Sequence, residues 1–509
     1  MTLKKRLITI LIIALCGGGV YTAGHLGLTI QQNEDEEAEE DFLFGRRETL
    51  YLWYTDEALT DYLNSVAVAY SEYQSDVRVV PVYTSGREYL ETVNQASLHT
   101  DEVPDLYIVS NDSLEKAYLA GLASEVRLPE GVLPMEQWFP ETAVHAVTYD
   151  DRQIAYPFYF ETSCFLYNMT YMEDWARAQI EAEQDMAEGE DAQQQIDNGQ
   201  ETEADAAGEG AESAVSVISD EMVMDKVERA LPETIDDILT FAYEYDAPEQ
   251  VEAVFKWDVS DIFYNYFFVG DAIDVGGVNG DKADSIHIYN EDAIKCMRVY
   301  QNLNQFFSID TKEISYDGVL QDFMDGKIVY TVATSDALSK IETAKEEGDF
   351  VYDYGISMLP DVSDELRSAS LSVTQCVVVN GYSVKKDMAN DFAVYLTQYA
   401  SEMLFTRTGK LPVSDTGDTY EDANRAAFMQ EYKNSVPMPK MIETSNFWVE
   451  LEIAFARIWE GEDANSDLKA LSEKIMSQVV GGEYTEEYID LPEEVPEEYV
   501  DEEEMSGDD

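Results

Sequence analysis

The chain has 509 residues, with 104 Asp or Glu against 32 Lys or Arg and a net charge of -72. A surface of that sign repels nucleic-acid phosphates and anionic lipid headgroups, so neither is an expected partner. The length suggests two or three domains, and a hydrophobic content of 45% is ample for their cores.

At the amino terminus Lys4, Lys5 and Arg6 precede LITILIIALCGGGVYTAGHLGLTI (7–30), which holds no acid, Lys or Arg. As a helix this run spans about 36 Å, enough to cross a bilayer. The basic flank then leaves everything after residue 31 outside the cytoplasm. An uncleaved anchor is the first expectation. A lipid-modified Cys16 is the second, since Leu15 stands where a lipobox takes Gly, Ala or Ser, and a cleaved leader is the third. All three place the protein on the extracytoplasmic face of the cell membrane. Residues 31–47 read as an acidic tether, seven of the nine residues 33–41 being Asp or Glu.

Next, ETLYLWYTD (48–56), VRVVPVY (77–83) and DLYIVSND (105–112) read as strands separated by helical patterns. Pro81 marks the second as an edge or a bulge. Such alternation predicts a parallel, doubly wound α/β sheet. Ligands of such sheets bind beyond the carboxyl ends of the strands, which singles out Tyr54 and Asp56 after the first strand and Asn111 and Asp112 after the third. Helix capping explains Asp56 and Asp112 equally well.

The stretch AYPFYFETSCFLYN (155–168) is apolar and strand-like except for Glu161 at its centre. A carboxylate there needs a partner or a wet cleft. Residues 178–225 then turn to Glu, Gln, Ala and Gly, a composition that predicts a disordered or loosely helical insertion. Structure resumes at LPETIDDILTFA (231–242). It continues through the aromatic run FKWDVSDIFYNYFF (255–268), a long helix near 288–307, DFMDGKIVYTVATSDAL (322–338), and strands at 354–361 and 373–384. Mostly helical sequence follows to about 480, and 481–509 form an acidic tail expected to be disordered. The four cysteines are scattered and only four histidines occur. Neither a disulfide framework nor a metal site is indicated, and no cofactor is expected.

The order of these pieces resembles the extracellular solute-binding proteins of ABC importers, the class that includes maltose-binding protein. The matching stretches are LYLWYTDE, PDLYIVSNDSLEKAYLAGLASEV, AYPFYFETSCFLYN, LPETIDDILTFA, DFMDGKIVYTVATSDA, YGISMLPD and NFWVELEIAFARIWEGE, spread across about residues 48–480. The resemblance implies a two-lobed, type II periplasmic-binding-protein-like fold whose lobes close over a ligand by a hinge motion. The N-lobe would comprise 48–158 and 375–410, and the C-lobe 159–374 and 411–480. Crossings fall near Tyr159 and Phe160, in 359–374, and near Lys410, Leu411 and Pro412.

The same resemblance aligns Glu161 with a cleft-facing glutamate, Asp112 with a carboxylate that bonds sugar hydroxyls, and Trp448 with a tryptophan that stacks on a sugar ring. Two other stacking tryptophans of the family are replaced, one by Val109 and one near Asp336, with Trp257 or Tyr264 as candidates to compensate. The candidate ligand-binding set is therefore Tyr54, Asp56, Asn111, Asp112, Glu161, Trp257, Asp336 and Trp448. The expected function is non-enzymatic capture of a small polar ligand, foremost a sugar or oligosaccharide, by a monomer that delivers it to ABC permease subunits. A surface-anchored sensing module and a glycoside hydrolase are the alternatives. The hydrolase needs two carboxylates in a cleft, which a chain this acidic supplies without meaning.

Overall fold

The computed structural model describes residues 47–492, apart from 85, 87, 100–102, 198–217, 308 and 415–417. The expected membrane segment, Cys16, nearly all of the acidic tether, the middle of the acidic insertion and the chain beyond 492 lie outside the described residues. No helix among the described residues is long and apolar enough to cross a membrane.

The strands are β1 (Glu48–Tyr54), β2 (Val77–Tyr83), β3 (Leu106–Ser110), β4 (Thr148–Tyr149), β5 (Arg152–Gln153), β6 (Tyr156–Asn168), β7 (Ala253–Phe255), β8 (Ile328–Thr334), β9 (Tyr354–Ser357), β10 (Leu371–Val379), β11 (Leu411–Pro412) and β12 (Val436–Pro437). They run in the order β2-β1-β3-β10-β6-β8-β7. In addition β9 and β11 pair with β6, and β12 pairs with β10, while β4 and β5 form a hairpin. Pro81 sits in the edge strand β2, where its missing N–H breaks no ladder.

Strands β1 and β3 are parallel, Leu52 opposite Leu106. The sheet as a whole is mixed, however, because β10 runs antiparallel to both β3 and β6. The parallel pairing that local alternation predicts is thus found between β1 and β3, while β10 adds antiparallel partners. The direction of a strand arriving from more than two hundred residues downstream leaves no trace in local periodicity.

The thirteen-residue strand β6 belongs to two sheets. Its first half pairs with β10, Glu161 opposite Val373 and Thr162 opposite Ser372, and with β11, Phe160 opposite Leu411. From Ser163 onward the partners are β8, Ser163 opposite Thr334, and β9, Phe165 opposite Ser357. The exchange of partners between Thr162 and Ser163 marks the boundary between two lobes. Thr162 reinforces it, sharing its hydroxyl with the Ser370 hydroxyl and the Leu371 carbonyl, each at 2.9 Å. Beside the crossing, Phe160 stacks on Tyr432 with ring centroids 4.1 Å apart, and the Tyr432 hydroxyl meets that of Thr374 at 2.7 Å.

Chain contacts divide the described residues into a small unit, those up to Thr49 with Val68–Val79, and a large one. Within the small unit the Glu48 amide donates to the Asp76 carbonyl at 2.8 Å. The large unit, Leu50–Ala67 and everything from Val80, carries both lobes and the cleft between them.

The acidic insertion is helical at both described ends. Helix Met169–Asp197 continues straight out of β6, and helix Asp220–Ala230 begins at a Ser219 N-cap. Two ion pairs, Arg177–Asp220 at 2.9 Å and Lys226–Glu183 at 2.7 Å, join these helices, and Val223 and Val227 bury a small apolar stripe. The three basic residues of these two helices thus stand where they offset the acidic charge; the third, Arg229, pairs with Asp225 one turn back. At the other end of the chain, residues 482–492 run without regular structure along the second lobe. Asn465 donates to the Ile489 carbonyl at 2.8 Å, the Ile489 amide donates to the Tyr289 hydroxyl at 3.0 Å, and Ile489 and Leu491 pack on the core. The expected acidic tail therefore begins with a fastened segment, because two apolar side chains and a row of donors hold it.

A buried lysine ties the lobes together. Lys440, just past β12 and 1% exposed, donates Nζ to the carbonyl of His145 at 2.9 Å and to that of Asn279. His145 precedes the crossing, and Asn279 lies between β7 and β8 in the second lobe. The His145 ring meets the Asn279 side chain at 2.9 Å, and the Asp150 amide donates to Asp281 at 2.8 Å. Burial pulls the Lys440 ammonium down from 10.5 to about 8, against the opposing pull of Asp281. Between those two values the unfolded chain holds a proton that the folded chain has shed, so this group makes stability rise with pH there. The difference in unfolding free energy between the protein and Lys440→Met is expected to shift toward the wild type by about 2 kcal/mol from pH 7.5 to 10. Urea titrations at the two pH values measure it, and a pH-independent difference would contradict the assignment.

Candidate ligand-binding cleft

A cleft of about 690 Å³ opens where the two sheets meet, lined from both lobes and the crossing strands. Glu161 projects into it from β6 one residue before the exchange of partners, 3.1 Å from the Lys410 ammonium. Lys410 also reaches Asp56 at 3.2 Å, and its charge lies 5.6 Å from the centre of the Tyr159 ring. Asp56 stands in the turn after β1, where its other oxygen caps the following helical turn through the Ala58 amide at 3.0 Å. The carboxylate in the apolar strand therefore has a named partner and a wet face: Glu161 is 40% exposed and Lys410 24%. Burial opposes the Lys410 charge, but Glu161 and Asp56 overcome it and hold the ammonium above its ordinary range.

The opposite wall is aromatic. Tyr264 and Tyr316 stack with centroids 4.7 Å apart and planes 14° from parallel. Phe263 and Trp448 complete the wall, the latter half-buried and tilted across Tyr266 with centroids 5.6 Å apart. Asp336 begins a helix at the carboxyl end of β8. It accepts from the Tyr316 hydroxyl at 2.8 Å and from Thr334, and pairs with Lys340 at 2.8 Å. Burial pushes this carboxyl upward, yet the bonds from Lys340, Thr334 and Tyr316 outweigh it and hold it below the usual range. Lys340 in turn lies 4.9 Å from the Tyr316 ring centre, so the stacked pair is fixed from beneath by charge.

Not every sequence candidate reaches this cleft. Trp257 is fully buried in the second lobe, stacked on Phe255 at 4.5 Å and edge-on to Trp459 at 5.6 Å, with its indole N–H donated to Asn265 at 2.8 Å. Its expected role beside a ligand is corrected to core packing, because all of its surface and its donor are already used. Tyr54 is likewise 2% exposed and donates to Thr60 at 3.0 Å. Asn111 is fully buried: it donates to the Met438 carbonyl at 2.6 Å and accepts from the Thr374 amide at 2.9 Å, which ties the end of β3 to the crossing. Both are corrected to structural roles on the same ground.

Asp112 is exposed, bonded to the Ser110 hydroxyl and 3.5 Å from that of Ser113. Those two serines line a second hollow of about 610 Å³ on the first lobe, with Val109, Gln375 and Tyr89. Glu161, Asp336, Trp448 and, through Lys410, Asp56 are thus brought to one cleft. Sequence reading missed Lys410, Tyr316 and Lys340 as site residues and kept Tyr264 as a substitute. For Lys410 a signal existed, since it is a charge set directly before a short apolar strand, as Glu161 is a charge set inside one.

Two lobes joined by crossing strands over a cleft with an aromatic wall and a polar floor define a solute-binding protein of the periplasmic type. The chain belongs to the family of bacterial extracellular solute-binding proteins, matched over residues 66–427. No curated protein matches it in sequence. Among solved structures it is similar to the extracellular solute-binding protein from Staphylococcus aureus in complex with maltose, at 16% identity and a TM-score of 0.65, covering 86% of this chain and 98% of that one. It is also similar to a cyclo/maltodextrin-binding protein complexed with maltotetraose, at 17% identity and a TM-score of 0.64, covering 86% and 98%. The maltose-binding periplasmic protein of Listeria monocytogenes in complex with maltose follows at 21% identity and a TM-score of 0.62, covering 86% and 100%. These likenesses establish the two-lobed maltose-binding-protein-like fold.

The two tryptophans separate a buried position from a cleft-facing one. Trp257→Ala is expected to destabilise the protein by about 3–5 kcal/mol. Trp448→Ala is expected to cost a fraction of that, since its ring is half out of the core. Denaturant melts of both variants check this, and equal losses would contradict the placement.

Proposed function

We propose that the protein captures a sugar or oligosaccharide in the interlobe cleft and hands it to an ABC-type permease. The observation that carries this reading is the pairing of an aromatic wall, Tyr264, Tyr316 and Trp448, with the Glu161–Lys410–Asp56 floor. A sugar ring offers apolar C–H faces that suit the wall and hydroxyls that suit ionised acceptors. The solved relatives that hold maltose or maltotetraose support carbohydrate as the class. Capture proceeds without turnover, by hinge closure at the crossing strands. The apolar segment 7–30, or a lipid on Cys16, would keep the protein on the extracytoplasmic face beside its permease.

A thermal-shift screen against neutral mono- and oligosaccharides tests the ligand class. A sugar bound only by the folded state stabilises it by about 2.7 kcal/mol at a hundredfold excess over its Kd. At least one sugar is expected to raise the melting temperature, and Trp448→Ala is expected to abolish that rise. A peptide pool that shifts the protein where no sugar does would contradict the carbohydrate reading.

A further inference from the structure

Lys410 stands out as a cation in a chain and a cleft dominated by acids. Among the described residues that line the cleft, Glu161, Asp261 and Asp336 are carboxylates and Lys410 is the ammonium. The other cation nearby, Lys340, is spent on Asp336 and Asp317, each at 2.8 Å. The backbone fixes Lys410 in place. Helix Leu404–Thr408 ends at Gly409 in the left-handed region, with φ at 71°, and the Lys410 amide donates to the Thr408 hydroxyl at 3.1 Å. Leu411 then pairs with Phe160, which sets Lys410 beside Glu161.

We infer that Lys410 is the residue that sets the charge class of the ligand: by occupying both Asp56 and Glu161, it tunes the cleft for uncharged sugars against acidic and basic ones. The inference rests on the carbohydrate reading above. An ammonium has three N–H groups. Two point at carboxylates and the Tyr159 ring lies within cation–π reach of the same charge, so a uronate or phosphate would have to compete with two built-in anions for one cation. Asp261 and Asp336 add like-charge repulsion on the way in. The same pairing prevents the opposite error. Without Lys410, Asp56 and Glu161 would meet the cleft as two unpaired carboxylates, a ready site for an amine. With it, their remaining lone pairs accept hydroxyl protons while the net charge at that point is -1 rather than -2.

Isothermal titration of the full chain at pH 6 and low ionic strength tests this with three probe sets: neutral hexose and pentose oligosaccharides, glucosamine oligosaccharides, and uronic acid oligosaccharides. The wild type is expected to bind a neutral probe at least tenfold more tightly than its uronate counterpart. Lys410→Met is expected to weaken the neutral probe and to raise the ratio of amino-sugar to neutral affinity at least tenfold, and Lys410→Arg to keep the wild-type order. Equal binding of uronate and neutral probes by the wild type would overturn the inference, and that comparison suffices if the Met variant does not fold. A Met variant that loses affinity for all three sets by one common factor would also overturn it, since that is the mark of a structural residue. Failure of the wild type to bind any sugar of any charge would instead overturn the carbohydrate reading, and this inference with it.

Discussion

One continuous strand carries the architecture. Because β6 keeps its backbone extended for thirteen residues, it pairs with β10 and β11 in the first lobe and with β8 and β9 in the second. A strand shared in this way ties both ladders to one backbone, the geometry on which the proposed hinge closure rests. Everything that defines the cleft is referred to that strand. Glu161 lies one residue from the exchange, Lys410 stands next to the residue paired with Phe160, and Asp336 begins the helix after β8.

The cost of placing a charge in such a strand explains the rest of the floor. A carboxylate bordered by Phe160 and Thr162, both fully buried, needs an opposite charge at hand. Lys410 supplies it and is itself partly desolvated, so it recruits Asp56 as a second anion. The result is three charges held by one another across the first lobe and the hinge, with Glu161 and Lys410 facing the cleft. The aromatic wall repeats this economy, its stacked tyrosines being anchored through Asp336 and Lys340. Both halves are thus held by their own contacts, and a site so preorganised lowers the ordering cost of binding.

The fold was legible where chemistry is local. Strands β1, β2 and β3 announce themselves by short apolar runs ending at polar turns, and the β6 run is distinctive enough to reveal its one charged residue. The acceptor set was legible only in part. Asp56 and Glu161 belong to motifs, but their common partner lies 249 residues beyond Glu161 in the chain. Aromatic side chains were the hardest to place. Trp257 and Trp448 each sit among other rings, and only the packing of Trp459, Phe255 and Asn265 around the first shows that it faces inward. Tyr316 carries no local mark, since its partner Tyr264 comes from a different helical turn. At the described ends of the insertion the helices are joined by two ion pairs, each between residues 43 positions apart, which local composition does not register.

The most direct test is a crystal structure of the protein soaked with the sugar that stabilises it most. The account requires that sugar to lie between the Trp448 and Tyr316 rings and the Glu161–Lys410 pair, with the carboxylate accepting from ring hydroxyls. A sugar found instead in the hollow lined by Val109, Ser110 and Gln375, with the Glu161–Lys410 pair untouched, would contradict it.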